Sequence, residues 1–414
     1  MGDSRKKKVV EDDLIITNLG ANKDLKEEKH FKFSFDKKNI NIRTFAISIF
    51  VILFILTAIF VFRFINFNAT LLLWKTNLAR KSENVNNKSI SYQSFEKGLM
   101  RISNDGITFI DDSGDVNWTV SYNIKDPIYE VKNKYFVIAD RNGNNFYIFN
   151  KDGLVGENTT TYPIVKISVS QDGILYVLQS DDNSSYINVF RENGNAIDIA
   201  IKTNLSDDGM PIDIATSKDG ENLLVSFVCL NDDDVYTKAT YYNFGDNNTN
   251  VNLKKISVEF IDELNDKFLA RVNLFSDDKS CLIHDSGIFF VNDALNSKPK
   301  IANSVEYNAK INSIAYNEKY IALTFDDKRL LSYDSSGNVL CDRKIDFDYD
   351  RFYIDDDYLI FILGNIVKIY DIRGRMIFDK EVNQGIEYVA KRKGIFFTEF
   401  LLGLIDGVEC IRAY

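Results

Sequence analysis

From about residue 89 onward one grammar recurs: a short apolar run, a turn built from Asp or Asn with Gly, then a second apolar run. It is found in GITFIDDSGDVNWTV (106–120), NNFYIFNKDGLV (144–155), SYINVFRENGNAIDI (185–199) and KATYYNFGDNN (238–248). It returns in GIFFVNDALN (287–296), RLLSYDSSGNVL (329–340), IVKIYDIRGRMIF (366–378) and LLGLIDGVECI (401–411). Runs of this length bounded by such turns are strands, and each unit predicts a β-hairpin whose Gly supplies the positive φ of a tight turn. The markers Gly114, Gly153, Gly194, Gly245, Asp293, Gly337, Gly374 and Gly407 are spaced by 39, 41, 51, 48, 44, 37 and 33 residues. A repeat of about 40–45 residues with four strands is the period of a propeller blade.

A further strand precedes each hairpin, as in KYFVIAD (134–140), NLLVSFVCL (222–230) and DYLIFIL (357–363), and often an earlier one such as IVKISVS (164–170) or INSIAYN (311–317). Three to four strands per unit exceed what a sandwich or simple barrel holds. The expected fold is all-β, a β-propeller of seven to eight blades with eight favoured, and a parallel β-solenoid as the second choice. Seven results if the first and last units share one sheet. Eight is favoured because the first unit already supplies KGLMRIS, GITFIDD and DVNWTV, and the last unit supplies four runs of its own. The strand GVECIRAY (407–414) is expected to complete the last blade beside the first, with Val408, Cys410 and Ile411 packing inside.

One segment has a different character. TFAISIFVILFILTAIFVF (44–62) has no charge and no amphipathic period. Eighteen residues from Phe45 to Phe62 span about 27 Å as a helix, close to the ~30 Å of a bilayer core. The segment 44–67 is therefore predicted to be a single transmembrane helix, an uncleaved signal anchor, with Trp74 in an interfacial aromatic belt. Residues 1–43 form a basic, mostly disordered tail, 68–88 a polar stalk and 89–414 the propeller. Phe31, Phe33 and Phe35 among lysines suit an inner headgroup layer. Lysine and arginine are commoner before the span than after it, which puts the N-terminus in the cytoplasm and the C-terminal domain outside the cell membrane.

Charge narrows the partners. The chain has a net charge of -10, with +3 in 1–43, +4 in 44–88 and -17 in the remainder. Such a domain repels phosphate backbones, so nucleic acid is excluded as its partner. Cys229, Cys281, Cys341 and Cys410 lie 52, 60 and 69 residues apart, which fits neither a metal site nor a disulfide framework. Cys229, Cys281 and Cys410 sit in apolar runs and are expected to be buried, inert thiols.

A single N-terminal anchor followed by repeats like SYINVFRENG (185–194) resembles the membrane-anchored, quinoprotein-like (PQQ-like or WD-type) β-propeller proteins of Gram-positive, clostridial-type bacteria, many of them in families of unknown function. The resemblance covers roughly 44–414 and implies architecture rather than activity. Quinoprotein enzymes of this kind have a docking tryptophan in each blade. Here Trp74 and Trp118 are the only tryptophans and no WD dipeptide occurs, so no quinone cofactor is implied.

Candidate sites are few. Asp346, Asp348 and Asp350 alternate in DFDYDRFYIDDD (346–357) as calcium ligands do, but Arg351 stands where a calcium loop needs Gly. The other reading of this segment is a link between blades with solvated carboxylates and inward aromatics. His284 precedes Asp285 without an identifiable nucleophile and reads as a hairpin-edge histidine. No G-x-S-x-G, GxxxxGK[ST] or HExxH occurs. No catalytic residue, cofactor or metal is assigned. The expected function is a bitopic membrane protein presenting an extracytoplasmic propeller as a scaffold for a protein or cell-wall partner. The alternatives are a glycan-active enzyme using channel carboxylates and a single-span sensor.

Overall fold

A computed structural model describes residues 42–65, 70–78, 90–231, 234–245, 256–295, 298–382, 385–394 and 398–413. The tail read at 1–43 lies almost wholly outside the described residues, as does most of the stalk. Ile42–Ile65 is a helix of 24 residues. Its large side chains are exposed on every face, from Ile49 at 43% to Phe50 at 71%. Among the described residues no helix is long and apolar enough to cross a membrane.

The rest of the chain forms eight four-stranded sheets, each an antiparallel meander, and so an eight-bladed propeller. Blades 1 to 7 follow the chain at 91–121, 127–159, 164–204, 210–260, 269–306, 311–344 and 351–381. The sequence pattern reflects the position of each strand. Second strands are sandwiched between neighbouring blades and buried on both faces, as Tyr135–Asp140 is along its whole length. Outermost strands alternate, as in Lys300–Glu306, because one face meets solvent. Packing between blades is aromatic. Phe95 lies against Phe109 and Phe136 at ring distances of 5.6 and 5.9 Å where blades 1 and 2 meet. Each such ring, fully buried, stabilises the fold by about 1.5–3 kcal/mol.

Blade 8 differs from the sequence reading. Its first three strands are Ile386–Lys393, Thr398–Leu404 and Gly407–Ala413, and its outermost strand is Thr70–Asn77 from the far end of the chain. Thr70 pairs with Ala413 and Asn77 with Gly407, across a bulge between Leu72 and Trp74. Val408, Cys410 and Ile411 are buried as expected, but their strand lies inside the last blade rather than beside the first. Part of the segment read as a polar stalk is thus a strand of the ring. Trp74 does not sit in an aromatic belt. It packs with Tyr92, Leu99 and Val408 at the seam between blades 8 and 1. The eight-blade reading holds, although the last unit is not complete in itself.

Candidate functional site

The first strand of every blade faces the central channel, and one edge of each has no partner strand. Backbone N–H groups on such an edge need acceptors, and side chains of the preceding blade supply them. Glu130 of blade 2 accepts from the Val169 N–H of blade 3 at 3.2 Å and from the Ser168 hydroxyl at 3.5 Å. Ser168 in turn accepts the Thr216 N–H of blade 4 at 3.1 Å. Asp213, fully buried, accepts the Val272 N–H of blade 5 at 2.9 Å. Its other oxygen meets the Lys166 ammonium. Asp355 of blade 7 accepts the Lys391 N–H of blade 8 and the Ser94 hydroxyl of blade 1, both at 2.7 Å. The channel carboxylates therefore tie neighbouring blades together.

Burial sets their electrostatics. It raises the carboxyls of Glu130 and Asp355 above their ordinary range, against the pull of the N–H groups that they accept. Burial also lowers Lys166, to about 8, helped by the Arg271 guanidinium and opposed by Glu130. Tyr316 is pushed up to about 12 by burial, with Glu130 adding to the shift and Arg271 opposing it.

Two spaces remain. Where blades 2 to 6 converge, the Gln171 amide donates to both Glu318 oxygens at 3.0 and 2.9 Å. The Lys132 ammonium lies 3.6 Å from the same carboxylate. This clasp joins turns three blades apart and leaves a cavity of about 10 Å³, room for no more than one water. Bounded by blades 5 to 8 and blade 1 is a larger cavity of about 390 Å³. Gln93, Arg271, Tyr316, Phe352, Tyr353 and Tyr388 are among its walls. Tyr353 and Tyr388 stack at 4.7 Å. The Tyr353 phenol accepts the Val389 N–H at 2.6 Å and donates to the Val389 carbonyl at 2.9 Å.

The residues singled out in the sequence fall elsewhere. Asp346, Asp348 and Asp350 lie on the link between blades 6 and 7 and face solvent, while Phe347 and Tyr349 turn inward between them. Asp348 pairs with Lys328 at 3.2 Å, and Asp350 accepts the Gly364 N–H at 2.9 Å. Among the described residues no group of three or more His, Cys, Asp or Glu is placed to hold a metal ion. His284 is buried at the edge of a hairpin, with Nδ1 3.1 Å from the Ser286 hydroxyl and its ring 4.8 Å from that of Phe289. All four cysteines are free and buried, and burial pushes the Cys341 and Cys410 thiols up to about 11.

Sequence reasoning missed Glu130, Lys166, Asp213, Arg271 and Asp355. A signal was present: in the strand PIDIAT, Asp213 sits among residues of a buried inner strand, where an unpaired carboxylate is costly.

Outside the channel, the second and third strands of blade 4, Asn222–Asn231 and Asp234–Asn243, are ten residues each, the longest strands of the ring. Leu230 pairs directly with Val235 and Met210 with Val228, so their side chains share one face of the sheet. Met210, Leu230 and Val235 are 42%, 43% and 63% exposed.

These eight sheets around a channel define a β-propeller, and solved structures share the fold. The yeast protein Sqt1 from Saccharomyces cerevisiae is 13% identical, covering 80% of this chain and 100% of that one with a TM-score of 0.53. The computationally designed protein Ika8 is 12% identical, covering 79% of this chain and 96% of that one with a TM-score of 0.51. BamB from Moraxella catarrhalis is 11% identical over 84% of this chain and 100% of that one, with a TM-score of 0.49. No curated protein matches the sequence. The chain belongs to DUF5711, a family of unknown function whose profile matches residues 74–412. That match begins inside the N-terminal strand of blade 8.

Proposed function

We propose that this protein is anchored in the cell membrane by one helix and presents its propeller outside the cell as a scaffold for a protein or cell-envelope partner. The observation that carries the scaffold reading is the long hairpin of blade 4. Its apolar pair Leu230 and Val235 stands exposed on a rigid ring, and exposed apolar clusters mark interaction surfaces. The anchor rests on the uncharged run 44–62 and on the exposed apolar side chains all round the helix Ile42–Ile65. The orientation rests on the lysines and arginines before the run. The channel carboxylates do not favour a glycan hydrolase, because Glu130, Asp213 and Asp355 are each held by backbone N–H groups of the next blade.

Crosslinking on intact cells, followed by purification of the full chain, tests this reading. The wild-type chain is expected to yield a defined set of envelope adducts, and the double variant Leu230→Asp, Val235→Asp to lose them while remaining folded. Adducts unchanged by the double variant would remove the hairpin from the reading. Protease added to wall-free cells is expected to digest the propeller and spare the tail; a fully protected propeller would reverse the topology.

A further inference from the structure

We propose that the 390 Å³ channel cavity binds a small organic carboxylate with an apolar body, held by the Arg271 guanidinium. Arg271 is the one ionised side chain among the residues that line this space; the others are Gln93, tyrosines and apolar residues. Its side chain is exposed to the channel. The hydrogen bond described for it is a long one, 3.3 Å, from Nη1 to the carbonyl of its own neighbour Ala270. No ion pair of Arg271 occurs among those described.

The carboxylates that line the same channel are already committed. Asp213 faces the Lys166 ammonium and the Val272 N–H. Glu130 holds Val169 and Ser168, Asp355 holds Lys391 and Ser94, and Glu318 holds Gln171 and Lys132. Lys166 and Asp213 cancel, and Arg271 is the one charge among the residues that line the cavity itself, a positive spot in a domain of net charge -17. That combination selects for an anion which can enter the ring and is not repelled at its destination.

The kind of anion follows from the walls. A guanidinium presents a planar fork that matches a carboxylate with two parallel hydrogen bonds. Beside it stand Ile314, Phe352 and the stacked pair Tyr353 and Tyr388, which suit an apolar or aromatic body. The cavity volume lies within the range of small-molecule sites, about 300–1,000 Å³. A free acid and the carboxyl end of a short peptide share this chemistry.

Calorimetric titration of the purified full chain at low ionic strength tests the site. The probes are phenylacetate, its neutral isostere phenylacetamide, and N-acetyl-glycyl-phenylalanine with a free or an amidated carboxyl. Saturable binding of a carboxylate probe is expected, with at least tenfold weaker binding of its amide. Arg271→Gln is expected to lose at least tenfold for the acids, and Arg271→Lys to fall between, while both variants keep the wild-type melting temperature in the absence of ligand. Tighter binding of the peptide acid than of phenylacetate points to a chain end as the natural ligand; the reverse order points to a free acid. Absence of saturable binding by either acid, or equal binding of acid and amide to the wild-type chain, overturns the inference without any variant having to fold. No partner protein is present in the titration, so its failure leaves the crosslinking result of the scaffold reading untouched, and the converse also holds.

Discussion

Thr76 donates its hydroxyl to the carbonyl oxygen of Gly114 at 2.6 Å, across the seam where the last blade meets the first. The same latch recurs round the ring. A side chain on the outermost strand of one blade donates to a carbonyl in the outer hairpin turn of the next: Trp118 to Lys151 at 2.9 Å, Asn158 to Gly194 at 2.8 Å, Asn303 to Gly337 at 3.2 Å and Arg343 to Gly374 at 2.6 Å. The N-terminal strand therefore meets blade 1 as an ordinary outermost strand. Its ion pair Lys75–Glu409 at 3.0 Å and the hydrogen bonds from Tyr92 to Leu404 and Gly407, at 2.9 and 3.2 Å, complete the closure.

The first prediction follows from that seam. Removing residues 1–69 leaves every strand of the ring in place, whereas removing 1–77 takes away the outermost strand of blade 8. The shorter truncation is expected to melt cooperatively and to resist protease. The longer one exposes the edge of Gly407–Ala413 and uncovers part of the Tyr92 cluster, which invites aggregation. Size-exclusion chromatography and limited proteolysis of the two truncations check this; equal behaviour would mean that the strand does not close the ring.

Gly114 has a φ of +92°, and a Cβ there would stand 2.7 Å from both the Trp74 ring and the Thr76 hydroxyl oxygen. Gly364 has a φ of +54° with nothing within 4 Å of its would-be Cβ. Gly364→Ala is expected to cost about 1 kcal/mol, the backbone penalty alone. Gly114→Ala adds a steric clash at the seam and is expected to cost roughly 1–3 kcal/mol more. Urea denaturation of the two variants measures the difference, and equal costs would remove Trp74 from the closure.

Much of this ring was legible because a blade repeats its turn chemistry, and the repeat survives without similarity between the units. The misreading came from one interval. Six of the seven markers from Gly114 to Gly374 fall in the turn between third and fourth strands, and Gly153 is the first residue of its fourth strand. Gly407 instead begins the third strand of blade 8, and it follows Gly374 by only 33 residues. The short interval records a missing fourth strand, which local pattern cannot reassign to residues 70–77 at the far end of the chain. The channel was illegible for a related reason. Glu130, Asp213 and Arg271 come from three blades, and only closure of the ring brings such residues together. Asp346, Asp348 and Asp350 stood out because they are adjacent in sequence, yet their alternation places the carboxylates in solvent and Phe347 and Tyr349 against the blade.

His284 provides a pH signature. Burial and the Lys267 ammonium lower its pKa from 6.5 to about 4, against the opposing pull of Asp285 and Glu306. Between those two values the unfolded chain binds the proton and the folded chain does not. Stability therefore falls as pH falls from about 6.5 towards 4, by up to about 1.4 kcal/mol per unit from this group. Glu130 and Asp355, raised by burial, act in the opposite direction in acid, so the comparison must be made with a variant that keeps both. The stability gap between wild type and His284→Leu is expected to shift in favour of the variant as pH drops through this window. A gap independent of pH would show that the imidazole is not buried in its neutral form.

The last prediction separates the charge of Asp213 from its hydrogen bond. Asp213→Asn keeps an oxygen for the Val272 N–H but leaves the Lys166 ammonium facing a neutral amide. Breaking a buried pair from one side costs about 3–5 kcal/mol. Lys166 keeps 29% of its side chain exposed, so the expected loss lies at or below the lower end, about 3 kcal/mol or less. The pKa of Lys166 is already lowered, to about 8, and losing its carboxylate partner lowers it further. The unfolded lysine holds its proton to higher pH, so the variant regains stability relative to wild type as pH rises towards 9. Adding Lys166→Met to Asp213→Asn removes the unpaired charge and is expected to recover most of the loss at neutral pH. Chemical denaturation at pH 7 and pH 9 of the wild type, the single variant and the double variant decides this. If the double variant is no more stable than Asp213→Asn at pH 7, the loss belongs to the hydrogen bond that ties blade 4 to blade 5 and not to the lysine's charge.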